Sequence, residues 1–253
     1  MRLSYKDIEN IAVKSFAGFM TMPVSEKDVR HIQIETFATH RLRLRIEYTR
    51  LSDDGITLGI TTYTDTEIEL RRYLRKEIIQ VSKDTALIDE RLAKPKMWGE
   101  HDRELNRRRF TIAHECAHQI LYRMEPDERR AELDLRYSSR VMSLRELKSL
   151  DDWREWQANA LAAALLMPRK HLDLLLGNRK LLIFGKRMNK PDKLFLMNMC
   201  NRLGVSPTAL TLRLKQLGLA VMLPADAFFD PADIECDSDE FSIRGIGGMA
   251  HAG

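Results

Sequence analysis

His114 and His118 stand four residues apart in the run Arg109-Phe110-Thr111-Ile112-Ala113-His114-Glu115-Cys116-Ala117-His118. On a helix that spacing puts both imidazoles on one face, about one turn apart, where they can reach a single metal ion. Glu115, beside them, is a carboxylate placed to take a proton from water that the ion has activated. The pattern H-E-x-x-H is the signature of zinc-dependent peptidases, so the chemistry expected of this stretch is metal-assisted hydrolysis of a peptide bond.

A catalytic zinc ion takes three protein ligands and keeps a further position open. Leu121-Tyr122-Arg123-Met124 follow the motif, so no third histidine stands at the metzincin spacing, and a carboxylate from a later helix is needed. Glu155 qualifies. It opens a run rich in alanine and leucine, and Asn159 follows four residues later on the same face, able to accept a hydrogen bond from Nδ1 of a zinc-bound histidine. Asp151 and Asp152 are rival carboxylates, and Asp152 with Glu155 also has the spacing of a capping box. His171, beyond Pro168, fits a ligand role less well.

The helix carrying the motif begins between Asp102 and Arg107 and stops before Pro126, with Phe110, Ala113, Ala117 and Ile120/Leu121 as its apolar stripe. A sheet precedes it. Leu42, Leu44, Ile46 and Tyr48 alternate with charged residues, Ser52-Asp53-Asp54-Gly55 signals a turn, and Ile56, Leu58 and Ile60 resume the alternation, which predicts an antiparallel hairpin. Short strands are expected at Ile78 to Val81 and Ala86 to Ile88, while 65–76 reads equally as strand or helix. Upstream, residues 4–21 have helical spacing with Ser4 as cap, and Ser25 with Asp28 marks a second short helix.

Downstream of the motif, 127–150 is mixed and partly helical. The run from Asp152 to Met167 has the strongest helical composition in the chain, with Asp152 as cap. Pro168 begins a helix closed by Gly177, residues 178–193 form a basic connector, and helices over Asp192 to Leu203 and Pro207 to Leu217 are followed by Gly204 and Gly218. The expected fold is α+β: a small antiparallel sheet packed on a helical core, with a C-terminal helical pair. One domain is expected over 1–223, made of a helix and sheet (1–92), motif helices (102–177) and the helical pair (192–219). Asp226 to Glu240 holds seven acidic residues and no lysine or arginine, so 224–253 is expected to be a poorly ordered tail.

Composition narrows the class. With 44% hydrophobic and 31% charged residues the chain can bury a real core. Its net charge is +4, but 41 basic and 37 acidic residues are interspersed, so nucleic-acid binding is permitted and not implied. Cys116, Cys200 and Cys236 are far apart, with neither a disulfide framework nor a thiolate metal spacing, and Cys116 faces away from the histidines as a core residue. The longest uncharged run, Trp156 to Pro168, is too short and too polar to span a bilayer, and no signal peptide is visible. A soluble, cytoplasmic protein is the expectation.

Three ordered blocks, RRRFTIAHECAHQIL, EWQANALAAALLMP and NRLGVSPTALTLRLKQLGL, resemble the ImmA/IrrE family of metallo-endopeptidases over about residues 77–219. The resemblance implies a gluzincin-like fold in which His114, His118 and Glu155 hold Zn2+, Glu115 is the general base and Asn159 supports a ligand from outside. It also implies a protein substrate, a helix-turn-helix repressor whose cleavage releases genes from silencing. This chain departs from the pattern at Cys116, where the family often has leucine, and in the long interval from His118 to Glu155.

A competing reading makes the chain a DNA-binding regulator, with helices 192–217 as a helix-turn-helix and zinc structural or vestigial. Against it, the second of those helices spends leucines on several faces and offers only Arg213 and Lys215 as basic contacts. Direct nucleic-acid binding is therefore not expected.

Overall fold

A computed structural model of the chain describes residues 3–72, 75–93, 101–138, 142–143, 152–184 and 187–227. Residues 228–253 of the acidic tail, with Cys236 among them, and Asp151 lie outside the described residues. The first half runs α1 (Tyr5–Ser15), α2 (Ile34–Thr36), β1 (Arg45–Thr49), β2 (Gly59–Thr62), β3 (Thr66–Arg72), β4 (Arg75–Val81) and β5 (Thr85–Asp89). The second half runs α3 (His101–Arg123), α4 (Asp127–Ser138), β6 (Met142–Ser143), α5 (Asp152–Leu166), α6 (Arg169–Leu176), β7 (Leu181–Phe184), α7 (Lys190–Leu203), α8 (Pro207–Gln216) and β8 (Ala220–Leu223). The class is α+β.

The strand order corrects the predicted hairpin. β1 and β2 do not pair with each other. β5 lies between them, parallel to β1 and antiparallel to β2, so this sheet is mixed. The physical reason is burial: every residue of β5 is buried, which suits a central strand, whereas β1 is largely exposed and suits an edge. Leu42 and Leu44, read as strand residues, are buried instead in the turn before β1, where Arg43 takes a positive φ of 60°. Within the ambiguous stretch 65–76, Thr66–Arg72 and the first residues of β4 are strand, β3 pairing antiparallel with β4 and parallel with β6.

The β2–β5 pair separates two apolar clusters. Ala86 and Ile88 face the main core with Ile112, Ala113, Cys116 and Ala117 of α3. Ile60 and Leu87 face the other way, against Leu51, Ile68, Leu70 and Val81. Alternation along the strands thus packs one face on the motif helix and the other on the β3–β4 hairpin.

Helix ends follow their capping residues. Ser4 Oγ accepts from Asp7 N and starts α1 as expected, although the helix ends at Ser15. Ser25 and Asp28 make the expected capping box, on a single 3-10 turn. Asn189 accepts from Asp192 N at 2.8 Å and starts α7 two residues before the predicted position. Gly204 closes α7 at φ 62°, in the left-handed region a side chain disfavours. The basic connector holds a strand that its charges concealed: β7 pairs in parallel with β8.

α5 is buried nearly all round, by Ala158, Ala160, Leu161, Ala162, Ala164, Leu165 and Leu166, and packs on both α3 and α1. Its small side chains permit that close approach. Trp156 packs edge-on against Tyr5 at 5.1 Å, a packing role. In α8, the Arg213 side chain is fully buried, 2.6 Å from Glu9 Oε1, and donates to Met167 O at 3.3 Å. It is out of reach of a DNA phosphate, which removes half of the basic contact set of the helix-turn-helix reading.

Candidate metal centre

His114 and His118 project from α3 toward the first turn of α5, where Glu155 meets them. His114 Nε2 lies 3.0 Å from His118 Nε2, the imidazole planes crossing at 81°. Glu155 spans both: Oε2 is 3.2 Å from His114 Nε2, and Oε1 is 3.2 Å from His118 Nε2. In a tetrahedral site with ligand bonds of about 2.0–2.1 Å, neighbouring donors stand about 3.3 Å apart. The two imidazole nitrogens, and each of them with one oxygen of the same carboxylate, stand close to that spacing, and the three residues can hold a metal.

Electrostatics agree with that arrangement. Burial by itself raises the pKa of Glu155, but hydrogen bonds and positive charge from His114 and His118 outweigh it and hold the carboxyl well below the usual carboxylate range. The carboxylate is thus kept ionised, the state a metal ligand needs.

The other sequence candidates are placed differently. Asn159 follows Glu155 by one turn and is exposed. His171 is buried in α6, where desolvation lowers its pKa, and it stands outside the ligand cluster. Asp152 opens α5, and Asp151 lies outside the described residues. Cys116 is fully buried, and burial pushes its thiol far above the ordinary value, in keeping with its reading as a core residue.

Glu115 turns to β2. It is 3% exposed, and its carboxylate occupies the place where a side chain at position 59 would stand: a Cβ on Gly59 would come within 2.4 Å of Glu115 Oε1. One turn along α3, the fully buried Gln119 donates from Nε2 to Thr61 Oγ1 and to Thr62 O, both at 2.8 Å. Thr111, Glu115 and Gln119 recur every fourth residue, so a polar stripe of the motif helix lies along β2. Sequence reasoning missed Gly59 and Gln119. The available signal was a glycine inside an alternating strand, which marks a close backbone approach.

Beside His118 a cleft is lined by Tyr63, Leu121, Tyr122, Glu125, Arg154 and Gln157. Tyr63 and Tyr122 stack at 4.2 Å, Tyr122 donates to Asp134 of α4, and Arg154 pairs with Glu125 at 3.0 Å. The long interval after His118 thus supplies, through α4, a prop for one wall of the cleft.

The family model described as the IrrE N-terminal-like domain, Peptidase M78, matches residues 55–215. The chain belongs to the M78 peptidase family. The matched M78 region begins at Gly55, just before β2, and ends inside α8, so it contains Gly59, His114, His118, Glu155 and Arg213. Curated proteins offer no match to the chain. As a member of a metallopeptidase family, this M78 chain carries its His-His-Glu cluster where a metal can serve hydrolysis. No helix among the described residues is long and apolar enough to cross a membrane.

Proposed function

We propose that this M78 protein is a cytoplasmic zinc endopeptidase that cuts a helix-turn-helix repressor. The observation that carries the peptidase reading is the pair of imidazole nitrogens 3.0 Å apart, each 3.2 Å from an oxygen of the Glu155 carboxylate, with Glu115 next to them in sequence. Two imidazoles and one carboxylate, with a further position open, are the donor set of a catalytic zinc site. The choice of a repressor as substrate rests on the family resemblance.

His114, His118 and Glu155 would hold the zinc, which when bound would supply Lewis acidity to polarise the scissile carbonyl and to ease deprotonation of the attacking water near neutral pH. Glu115 accepts the proton of the attacking water and passes it to the leaving amine. Asn159, one turn beyond Glu155, is the candidate to steady an imidazole from outside the ligand set.

β2 supports a role in holding substrate. Asp89 N donates to Leu58 O, so 58 and 89 form a hydrogen-bonded pair, and such pairs alternate along an antiparallel ladder. Gly59 and Thr61 therefore turn their N–H and C=O groups away from β5. β2 is an edge strand among the described residues, the kind of strand to which an extended peptide can add.

The test is capture. Glu115→Gln, loaded with zinc, should retain a bound protein partner that the wild type cuts at one bond. Full cleavage by Glu115→Gln would sink the mechanism, and a partner left intact by wild type would sink the endopeptidase reading.

A further inference from the structure

Glu115 is carried by a helix but shaped by a strand. A Cβ at position 59 would lie 2.4 Å from Glu115 Oε1, 3.0 Å from Glu115 Cδ and 2.7 Å from Thr111 Cγ2. Real side chains do not tolerate such distances, so one group has to move. Thr111 is stiff: it is β-branched, 7% exposed, and its Oγ1 donates to Arg107 O at 3.0 Å. Strand β2 cannot slide to relieve the contact, because Gln119 fastens Thr61 and Thr62 to the same helix. The group that yields most cheaply is the Glu115 carboxylate, the far end of a longer and more flexible side chain than threonine.

We propose that Gly59 is a positioning residue for Glu115: the missing side chain leaves the space that the carboxylate occupies, and the Gln119 clamp keeps that space in register. The proposal rests on the peptidase reading, since it assigns Glu115 the proton-handling role. It makes a specific claim about β2. The strand sets the site's general base as well as offering an edge to substrate, and its glycine serves the carboxylate rather than a turn, its φ not lying in the left-handed region.

Gly59→Ala tests it in the zinc-loaded protein, with a fluorogenic peptide that the wild type cuts. A displacement of about 1 Å at a reacting group costs on the order of a hundredfold. The expected result is a loss of that size in kcat, with KM and zinc content unchanged. Adding Thr111→Ser, which removes the methyl group at 2.7 Å but keeps a hydroxyl, should not restore the rate. Restoration by Thr111→Ser, or full activity in Gly59→Ala, overturns the proposal. Melting of the metal-free protein gives a readout independent of catalysis: the penalty of Gly59→Ala should be smaller when Glu115 is already alanine. Equal penalties in both backgrounds mean that the two residues do not share the space, and overturn the proposal. If wild type cuts no peptide, the peptidase reading fails, while the melting comparison still decides whether Gly59 houses Glu115.

Discussion

Arg213 Nη2 lies 2.6 Å from Glu9 Oε1, joining α8 to α1 in a place where the arginine side chain has no exposure. Burial lowers the guanidinium's pKa, opposed by the charge of Glu9, and Met167 O accepts a further hydrogen bond. Glu9 lies outside the matched M78 region, so a residue upstream of it completes a pair inside it.

Removing one partner of a buried ion pair strands the other and typically costs about 3–5 kcal/mol. Glu9→Ala strands the unexposed Arg213 guanidinium and should therefore lower unfolding free energy by an amount of that order in urea titrations. Exposed Lys215→Ala should change it by less than about 0.5 kcal/mol. Near-equal effects of the two substitutions would show that the buried pair does not hold α8 in place.

Zinc should stabilise the fold through the three donors. A ligand that binds only the folded state adds about 2.7 kcal/mol at a hundred times its Kd. Calorimetry with added zinc should show that rise in wild type and little of it in His118→Ala. A rise of the same size in His118→Ala would place the binding elsewhere.

Asp89 gives a pH dependence with a definite sign. Its carboxylate has no exposure; burial raises its pKa, but hydrogen bonds from Arg91 and from Leu51 N outweigh that and leave it lowered. A group whose folded pKa lies below its unfolded value of about 3.9 contributes stability above that value, and loses it as pH falls through the folded pKa. Stability measured from pH 6 downward should fall through that window less steeply in Asp89→Asn. An unchanged acid limb would show that Asp89 is not the linked group.

Cys116 and Cys200 are buried, and burial pushes the Cys200 thiol up to about 12. Thiolate is the reactive form, so both should resist iodoacetamide in the folded protein and react once it is unfolded. Peptide mapping by mass spectrometry separates the two sites. Rapid labelling of Cys116 in the native protein would contradict its place in the core.

What the sequence made legible was mostly local. The spacing of His114 and His118 needs only the helical period, and the caps at Ser4 and Gly204 need only their own turns. Glu155 was within reach because its helix is unusually rich in small residues and a family block covers it. The position of β5 between β1 and β2 was hidden, because strand order depends on burial contributed by distant residues rather than on alternation within each strand. β7 was hidden by composition, four apolar residues among lysines and arginines. Gly59 was visible as a glycine but not as a cavity, since the carboxylate that fills it comes from another element.

Arg109 sits five residues before His114 and is 7% exposed. Its Nε donates to Gly204 O at 2.9 Å, and its Nη2 to Ile32 O at 2.9 Å and Leu203 O at 3.4 Å. A Cβ at Gly204 would stand 2.9 Å from that Nε, so the turn after α7 is fitted to the guanidinium. A chain truncated before Lys190 would leave this cation with one acceptor of three, on the helix that bears the histidines. The C-terminal pair is thus an underpinning of the motif helix.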